Sequence, residues 1–231
     1  MTPAWRTFCV RIGAGVALFA AVEAGLILWV DRPLAEGVRA FGNVHPSTVA
    51  FFQVLTVLGL GGVTLIPSGL GALIALSLAR WTRARHRSAV HAFLRLWGER
   101  LAFVFAAVAV PSLATTLIKK VVGRARPKLW LHEHIYGLDP GSFAAAWNSW
   151  PSGHSTTIFA LAYALSVLWP RGTWVWGAGA VLVAFSRVMI NAHFLSDVLA
   201  GACVGLLLSF AVHHLGAFGG KNLGFPSFVR F

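Results

Sequence analysis

Six stretches of the chain are nearly free of charge: roughly 12–30, 49–79, 101–119, 153–169, 173–190 and 194–213. About 20 apolar residues at 1.5 Å rise span a bilayer core, so each stretch predicts a membrane-crossing helix. The second is too long for one straight crossing and contains Pro67-Ser68-Gly69. It predicts a helix that is tilted, kinked or partly outside the core. Segment 31–48 (DRPLAEGVRAFGNVHPST) mixes charge with apolar residues and predicts an interfacial or re-entrant element. Segment 80–100 (RWTRARHRSAVHAFLRLWGER) predicts a basic amphipathic connector. The expected fold is all-α: a polytopic membrane protein, a six-transmembrane helix bundle with an interfacial helical segment after the first span. No repeat, low-complexity linker or composition shift divides residues 1–231, which predict one membrane-embedded domain.

Composition strengthens this picture. The chain is 57% hydrophobic and 11% charged, against roughly 25% charged residues in soluble domains. Cys9 and Cys203 make no disulfide framework and have no metal-ligand spacing. Arg6 and Arg11 precede the first apolar run as the basic residues of a signal peptide do. That run is long and ends at Trp29-Val30-Asp31 without a small-residue cleavage site, which predicts a retained helix.

The net charge of +12 sits mainly in the gaps between apolar runs, where it orients a membrane protein and attracts anionic lipid, and nucleic acid is not the expected partner. With the N-terminus cytoplasmic, that side receives eleven of the nineteen Lys and Arg residues: Arg6, Arg11, Arg80, Arg83, Arg85, Arg87, Arg95, Arg100, Arg171, Lys221 and Arg230. Both termini are expected inside, by the positive-inside rule.

The remaining basic residues cluster with other polar groups. The ends of spans three and five and the starts of four and six share one side, the outer one in this orientation. Span three ends in KKVVGRARP from Lys119, and Lys119 and Arg126 share a face for as long as the helix lasts. Pro127 marks the exit. Span four opens on WPSGHSTT, where Ser152 or Ser155 can cap and the first amides point at whatever lies ahead, a ready anion site. Spans five and six are joined by SRVMINAHFLSD from Ser186. His193 and Asp197 are one helical turn apart, so a helical backbone lets the carboxylate hold one imidazole nitrogen and leave the other free. That is the base-plus-orienter arrangement of an activated nucleophile. A headgroup anchor, a capped helix and a structural His–Asp pair are the plainer readings of the three. Together they supply cations, a nucleophile and an acid, the set phosphoryl transfer needs.

In this order the three stretches, K-x6-RP, PSGH and SR-x5-H-x3-D, resemble the signature of the type 2 phosphatidic acid phosphatase superfamily, in its membrane branch. The resemblance covers 119–197 and leaves spans one and two outside it. It implies a metal-independent lipid phosphatase, without cofactor, that passes through a phosphohistidine. His193 resembles the nucleophile, Asp197 the group that orients it and His154 the general acid. Lys119, Arg126, Ser152, Gly153 through its amide, and Arg187 resemble the phosphate cradle. The substrates implied are membrane lipids: phosphatidic acid, phosphatidylglycerol phosphate, undecaprenyl diphosphate or lipid A phosphates. A short 128–150 loop favours a small headgroup. A lipid-to-lipid phosphotransferase with the same site, or an anion or lipid transporter, are the alternative functions.

Several residues fall outside the signature. Lys120 and Arg124 are extra charges that meet either a second phosphate or the headgroup layer. His132-Glu133-His134 lacks a third metal ligand and predicts a loop covering the site. Glu23, midway along the first span, requires a partner or a water-filled cavity.

Overall fold

The computed structural model describes residues 3–84 and 88–215, together with Phe218 and Leu223. Arg85, Arg87, Lys221 and Arg230, used above to orient the chain, lie outside the described residues. No strand occurs among the described residues, and the protein is a helical membrane bundle. Its nine α-helices there are α1 (Pro3–Gly25), α2 (Asp31–Val44), α3 (Pro46–Leu55), α4 (Gly61–Ala84), α5 (Ser88–Val122), α6 (Pro127–Glu133), α7 (Gly153–Leu168), α8 (Thr173–Met189) and α9 (Leu195–Leu215).

Five helical stretches among the described residues are long and apolar enough to cross a membrane: Val10–Val44, Pro46–Arg83, Ser88–Val122, Pro170–Met189 and Leu195–Leu215. The sixth expected span is the shorter apolar helix Gly153–Leu168. Large apolar side chains such as Val16, Leu18, Ile66, Leu73 and Leu207 point away from the protein. Lipid is the solvent that makes such a surface stable.

The first two spans differ from expectation in where they bend. α1 runs through a wider π turn at Leu26–Val30 straight into α2, so the expected post-span segment is a continuation of the first helix. Pro33 has no N–H to offer the Trp29 carbonyl, and the wide turn lies just ahead of it. Asp31, Ala35 and Val38 form the buried face of α2. The long second stretch breaks at Leu60, which is extended (φ −70°, ψ 125°), after a 3-10 turn at Thr56–Gly59. Pro67 instead sits inside α4. The described residues of segment 80–100 are more regular than a connector: 80–84 end α4 and 88–100 start α5, and the two helices pack extensively on each other.

α7 is the hub, packing on α5, α8 and α9. Its small residues Ala160, Ala162 and Ala164 are buried, which lets three neighbours approach. Phe103, Val104 and Ala107 of α5 fill one side with Leu168, while Val183, Ala184 and Val188 of α8 fill the other with Ile158. On α9, Gly201 and Gly205 form a small-xxx-small stripe against α7. A Cβ on Gly205 would lie 2.5 Å from the Thr156 carbonyl oxygen, and one on Gly201 would collide with the Ser152 carbonyl. Backbone cannot yield as a side-chain tip can. We therefore expect Gly201→Ala to destabilise the protein by about 1–3 kcal/mol, read as a lower thermal midpoint in detergent. An unchanged midpoint would show that α9 can stand off from α7.

Candidate active site

The C-terminal ends of α5 and α8 and the N-terminal ends of α7 and α9 meet at one end of the bundle, with the turn between α3 and α4 beside them. All eight signature residues lie there, but two of the local routes differ from those the sequence spacing suggests. Lys119 is in the last turn of α5, and the helix stops at Val122, before Arg126 is reached. Gly123, with φ +60°, ends it, and the Asp139 backbone lies where a Cβ would be. Arg126 is extended. The two cations converge because the following loop brings them a common acceptor. Lys119 Nζ donates to the Asn148 carbonyl at 2.8 Å, and Arg126 Nη2 donates to the same oxygen at 3.4 Å. Hydrogen bonds from Arg126 N to Ala146 O and from Ser149 N to Arg124 O hold that loop in place.

Arg187, in the last turn of α8, donates from Nη1 to Thr56 Oγ1 at 2.7 Å. The Nε atoms of both Arg126 and Arg187 are buried without a protein partner. Buried unpaired donors are costly, so these two are free to meet an anion. The guanidiniums border a cavity of about 620 Å³, which Gln53, Lys128 and His132 also line. Burial pushes the pKa of Arg126 below the usual guanidinium range, and the Asp197 carboxylate opposes that shift.

Ser152 is the N-cap of α7: its Oγ accepts from Ser155 N at 3.5 Å, and its own N donates to the Asp197 carbonyl at 2.8 Å. Gly153 and His154 are the first two residues of the helix, whose leading amides have no carbonyl a turn behind them. Lys119 is the nearest side chain to Gly153, and His154 packs on Gly59. His154 also lies within the electrostatic reach of Arg187, Lys119 and Arg126.

His193 and Asp197 pair as expected, but not along a helix. α8 ends at Met189, Asn191 takes a left-handed conformation (φ 51°), and α9 starts only at Leu195. His193 thus sits on a bend, its N donating to the Arg187 carbonyl at 3.2 Å. Asp197 is the third residue of α9 and its Oδ2 reaches back to accept from Phe194 N at 2.9 Å, one half of a capping box. The same Oδ2 accepts from Ser149 Oγ at 2.5 Å and lies 3.5 Å from His193 Nδ1. No hydrogen bond reaches Nδ1, so at this distance the carboxylate orients the ring through its charge more than it binds it. Burial is the main cause holding the His193 pKa below the ordinary imidazole value, with Asp197 pulling the other way and Lys119 and Arg126 adding to the lowering. The ring is therefore neutral at physiological pH, with Nδ1 towards the carboxylate and Nε2 free.

Sequence reasoning missed four participants. Ser149 and Thr56 are ordinary polar residues in a loop and a turn, with no local signal. Arg124 meets neither a second phosphate nor headgroups: it is buried against Asp197 and Asp31. Asp31 opens the segment expected to be interfacial or re-entrant, and it is buried. A carboxylate at a span end wants a partner, and that rule could have found it. Glu23, left open above, accepts from Trp150 Nε1 at 3.3 Å, directly before the PSGH turn. His132 and Glu133 end the short helix α6 and line the cavity mouth.

The sequence model of the PAP2 superfamily matches residues 100–219, just over half the chain. The chain is 42% identical over 107 residues to a lipid A 1-phosphatase of Rhizobium etli, an overlap covering 45% of each protein. It is 40% identical over 63 residues to an undecaprenyl-diphosphatase of Sulfolobus acidocaldarius, covering 27% of this chain and 31% of that one. The chain spans less than half the length of these relatives in the matched regions. Among solved structures, it is similar to a transmembrane PAP2 type phosphatidylglycerolphosphate phosphatase from Bacillus subtilis, with a TM-score of 0.56 and 22% identity. That likeness covers 87% of this chain and 92% of the other, and at this identity it speaks for the fold. With the three signature stretches gathered at one end of a helical membrane bundle and the superfamily model matching the segment that carries them, the chain belongs to the PAP2 superfamily.

Proposed function

We propose that the protein is an integral membrane lipid phosphatase, releasing phosphate from a lipid phosphomonoester or diphosphate by way of a phosphohistidine. The observation that carries this reading is the orientation of His193: Nδ1 faces Asp197 at 3.5 Å, leaving Nε2 as the attacking atom beside unpaired guanidinium donors of Arg126 and Arg187.

In the first step Nε2 of His193 attacks phosphorus. The bond from phosphorus to the lipid oxygen breaks, and His154 gives its proton to that oxygen. In the second, water attacks the phosphohistidine while His154 takes its proton, the P–N bond breaks, and inorganic phosphate leaves. Lys119, Arg126 and Arg187 balance the charge on the non-bridging oxygens, together with the Gly153 amide and the α7 N-terminus. Ser152 shapes the turn that aims those amides. No step calls for a metal ion, and activity in excess chelator is expected.

The similarity to lipid A 1-phosphatases supports a glycosyl phosphate headgroup, and that to an undecaprenyl-diphosphatase supports a diphosphate. We place a lipid A 1-phosphate first, against the small headgroup that the short 128–150 loop by itself favours, because of the similarity to lipid A 1-phosphatases. Its site would face the periplasm of a bacterial inner membrane, as the distribution of Lys and Arg suggests. The test is phosphate release by the purified protein in chelator, across lipid A, undecaprenyl diphosphate, phosphatidylglycerol phosphate and phosphatidic acid. Lipid A is expected to turn over fastest. Appearance of a phosphorylated acceptor lipid in place of free phosphate would make the protein a transferase, and a requirement for added divalent metal would overturn the metal-free route.

A further inference from the structure

Asp197 has two oxygens with different duties. Oδ2 serves Ser149, Phe194 N and His193. Oδ1 is taken by Arg124, whose Nη1 donates to it at 2.6 Å. Arg124 does not end there. Its Nη2 donates to Asp31 Oδ2 at 2.7 Å and to Tyr136 Oη at 2.9 Å, and Nη1 also donates to Ser196 Oγ at 2.6 Å. Asp31 in turn accepts from Ser196 N at 3.1 Å through Oδ1 and from Ser196 Oγ at 2.5 Å through Oδ2. Tyr136 completes the frame by donating to the Ile27 carbonyl at 2.7 Å.

The arrangement ties three parts of the chain into one charged unit. α9 is capped twice by carboxylates, at Phe194 N from its own Asp197 and at Ser196 N from Asp31, both where the helix macrodipole favours negative charge. A single guanidinium lies between the two carboxylates, and Arg124, Asp31 and Asp197 are all nearly inaccessible to solvent. Rotation of the Asp197 carboxylate would break the Arg124 contact together with those to Ser149 and Phe194. Asp31 and Ile27 also lie outside the 100–219 segment that matches the superfamily. The first helix thus reaches the site through the clamp itself.

We propose that Arg124 and Asp31 are positioning residues for the reaction: they lock the Asp197 carboxylate in the rotamer that holds His193 with Nδ1 inward and Nε2 outward. Neither touches the phosphate. The consequence for the reaction rests on the phosphatase reading above, whereas the orientation of the His193 ring does not.

The two parts are tested separately on the full-length protein in nanodiscs. In the first arm, kcat and KM are measured on the best lipid phosphate. Arg124→Gln is expected to lower kcat roughly 10- to 100-fold with KM changed less than about threefold, because the cradle is intact and only the orientation of the nucleophile is lost. Arg124→Lys keeps one charge contact and should recover part of that loss. Asp31→Asn should cost less than Arg124→Gln, again in kcat. In the second arm, ¹⁵N-histidine spectra report the ring tautomer of His193, assigned by its absence in His193→Ala. The wild type should show one Nδ1–H tautomer, and Arg124→Gln and Asp31→Asn a mixture.

Wild-type kcat and an unchanged tautomer in Arg124→Gln would overturn the clamp. Should that variant not fold, the same two results in Asp31→Asn would overturn it. A wild type that releases phosphate from no lipid would instead refute the phosphatase reading, and the tautomer comparison would still decide the clamp.

Discussion

His193→Ala is expected to lose phosphate release by at least about 10⁴-fold while keeping its thermal midpoint, since removal of a nucleophile leaves only binding and charge stabilisation. The wild type fixes the chemistry behind that number. Incubated with labelled lipid phosphate and quenched in alkali, which preserves a phosphoramidate bond, it should carry label on protein, and His193→Ala should carry none. The environment of His193 adds a pH signature. Attack needs the neutral ring, and burial holds its pKa below the ordinary value, so protonation inactivates the enzyme only on the acid side of about pH 6.5. The acid limb of kcat/KM is thus expected below that pH, and the alkaline limb of kcat, set in the complex where the phosphate offsets the neighbouring cations, reports loss of the His154 proton. Turnover in His193→Ala approaching the wild-type rate would end the phosphohistidine mechanism. An acid limb centred above pH 7 would mean that the Asp197 charge outweighs burial at the nucleophile.

The second large effect belongs to His154→Asn, expected to reduce turnover of lipid phosphates about 10²- to 10⁴-fold, the range for loss of a positioned proton donor. Size alone does not identify a general acid, because any damage to the cradle also slows the reaction. The leaving group does. A lipid alcohol or sugar hydroxyl needs a proton as it departs, whereas p-nitrophenolate does not. On p-nitrophenyl phosphate, the first step in His154→Asn should approach the wild-type rate, so labelled phosphohistidine should build up while its hydrolysis lags. Losses of equal size in phosphoenzyme formation on both substrates would remove the acid role and leave His154 as a wall of the pocket. Burial and the Lys119, Arg126 and Arg187 charges at the start of α7 oppose a proton on His154 in the free site, so the acid role depends on the bound phosphate offsetting those charges.

The unbroken arm from α1 into α2 bears on how such a site reads a membrane substrate. Asp31 closes the clamp at the base of α2, and Trp130 Nε1 of α6 donates to Glu36 of α2 at 3.0 Å. Arg39 Nη1 donates to the Leu131 carbonyl, tying α2 to the same short helix. α2 therefore lies along the segment that carries Lys128 and His132 to the cavity, and the first helix braces both the floor and the rim.

Much of this protein was legible in the residues alone. The apolar runs marked the helices because a bilayer leaves backbone polar groups no partner except their own helix, which makes length and composition nearly sufficient. The three motifs were legible because Lys119 with Arg126, Ser152 to His154, and His193 with Asp197 each lie within a few residues, so a short stretch shows the chemical set even where it does not fix the geometry.

What only the tertiary structure decided lies in contacts between distant parts of the chain. Lys119 and Arg126 meet at the Asn148 carbonyl after their helix has ended. His193 meets Asp197 across a bend whose shape depends on the α9 caps from Asp197 and Asp31, not on helical spacing. Asp31 and Arg124 are 93 residues apart, and no periodicity links them. Even the break at Leu60, in place of one at Pro67, comes beside a long-range contact, the hydrogen bond from Arg187 to Thr56 in the turn before it. Periodicity records which face of a helix is apolar. The partner of a buried charge is settled by desolvation, which acts only once the helices have packed and water has gone.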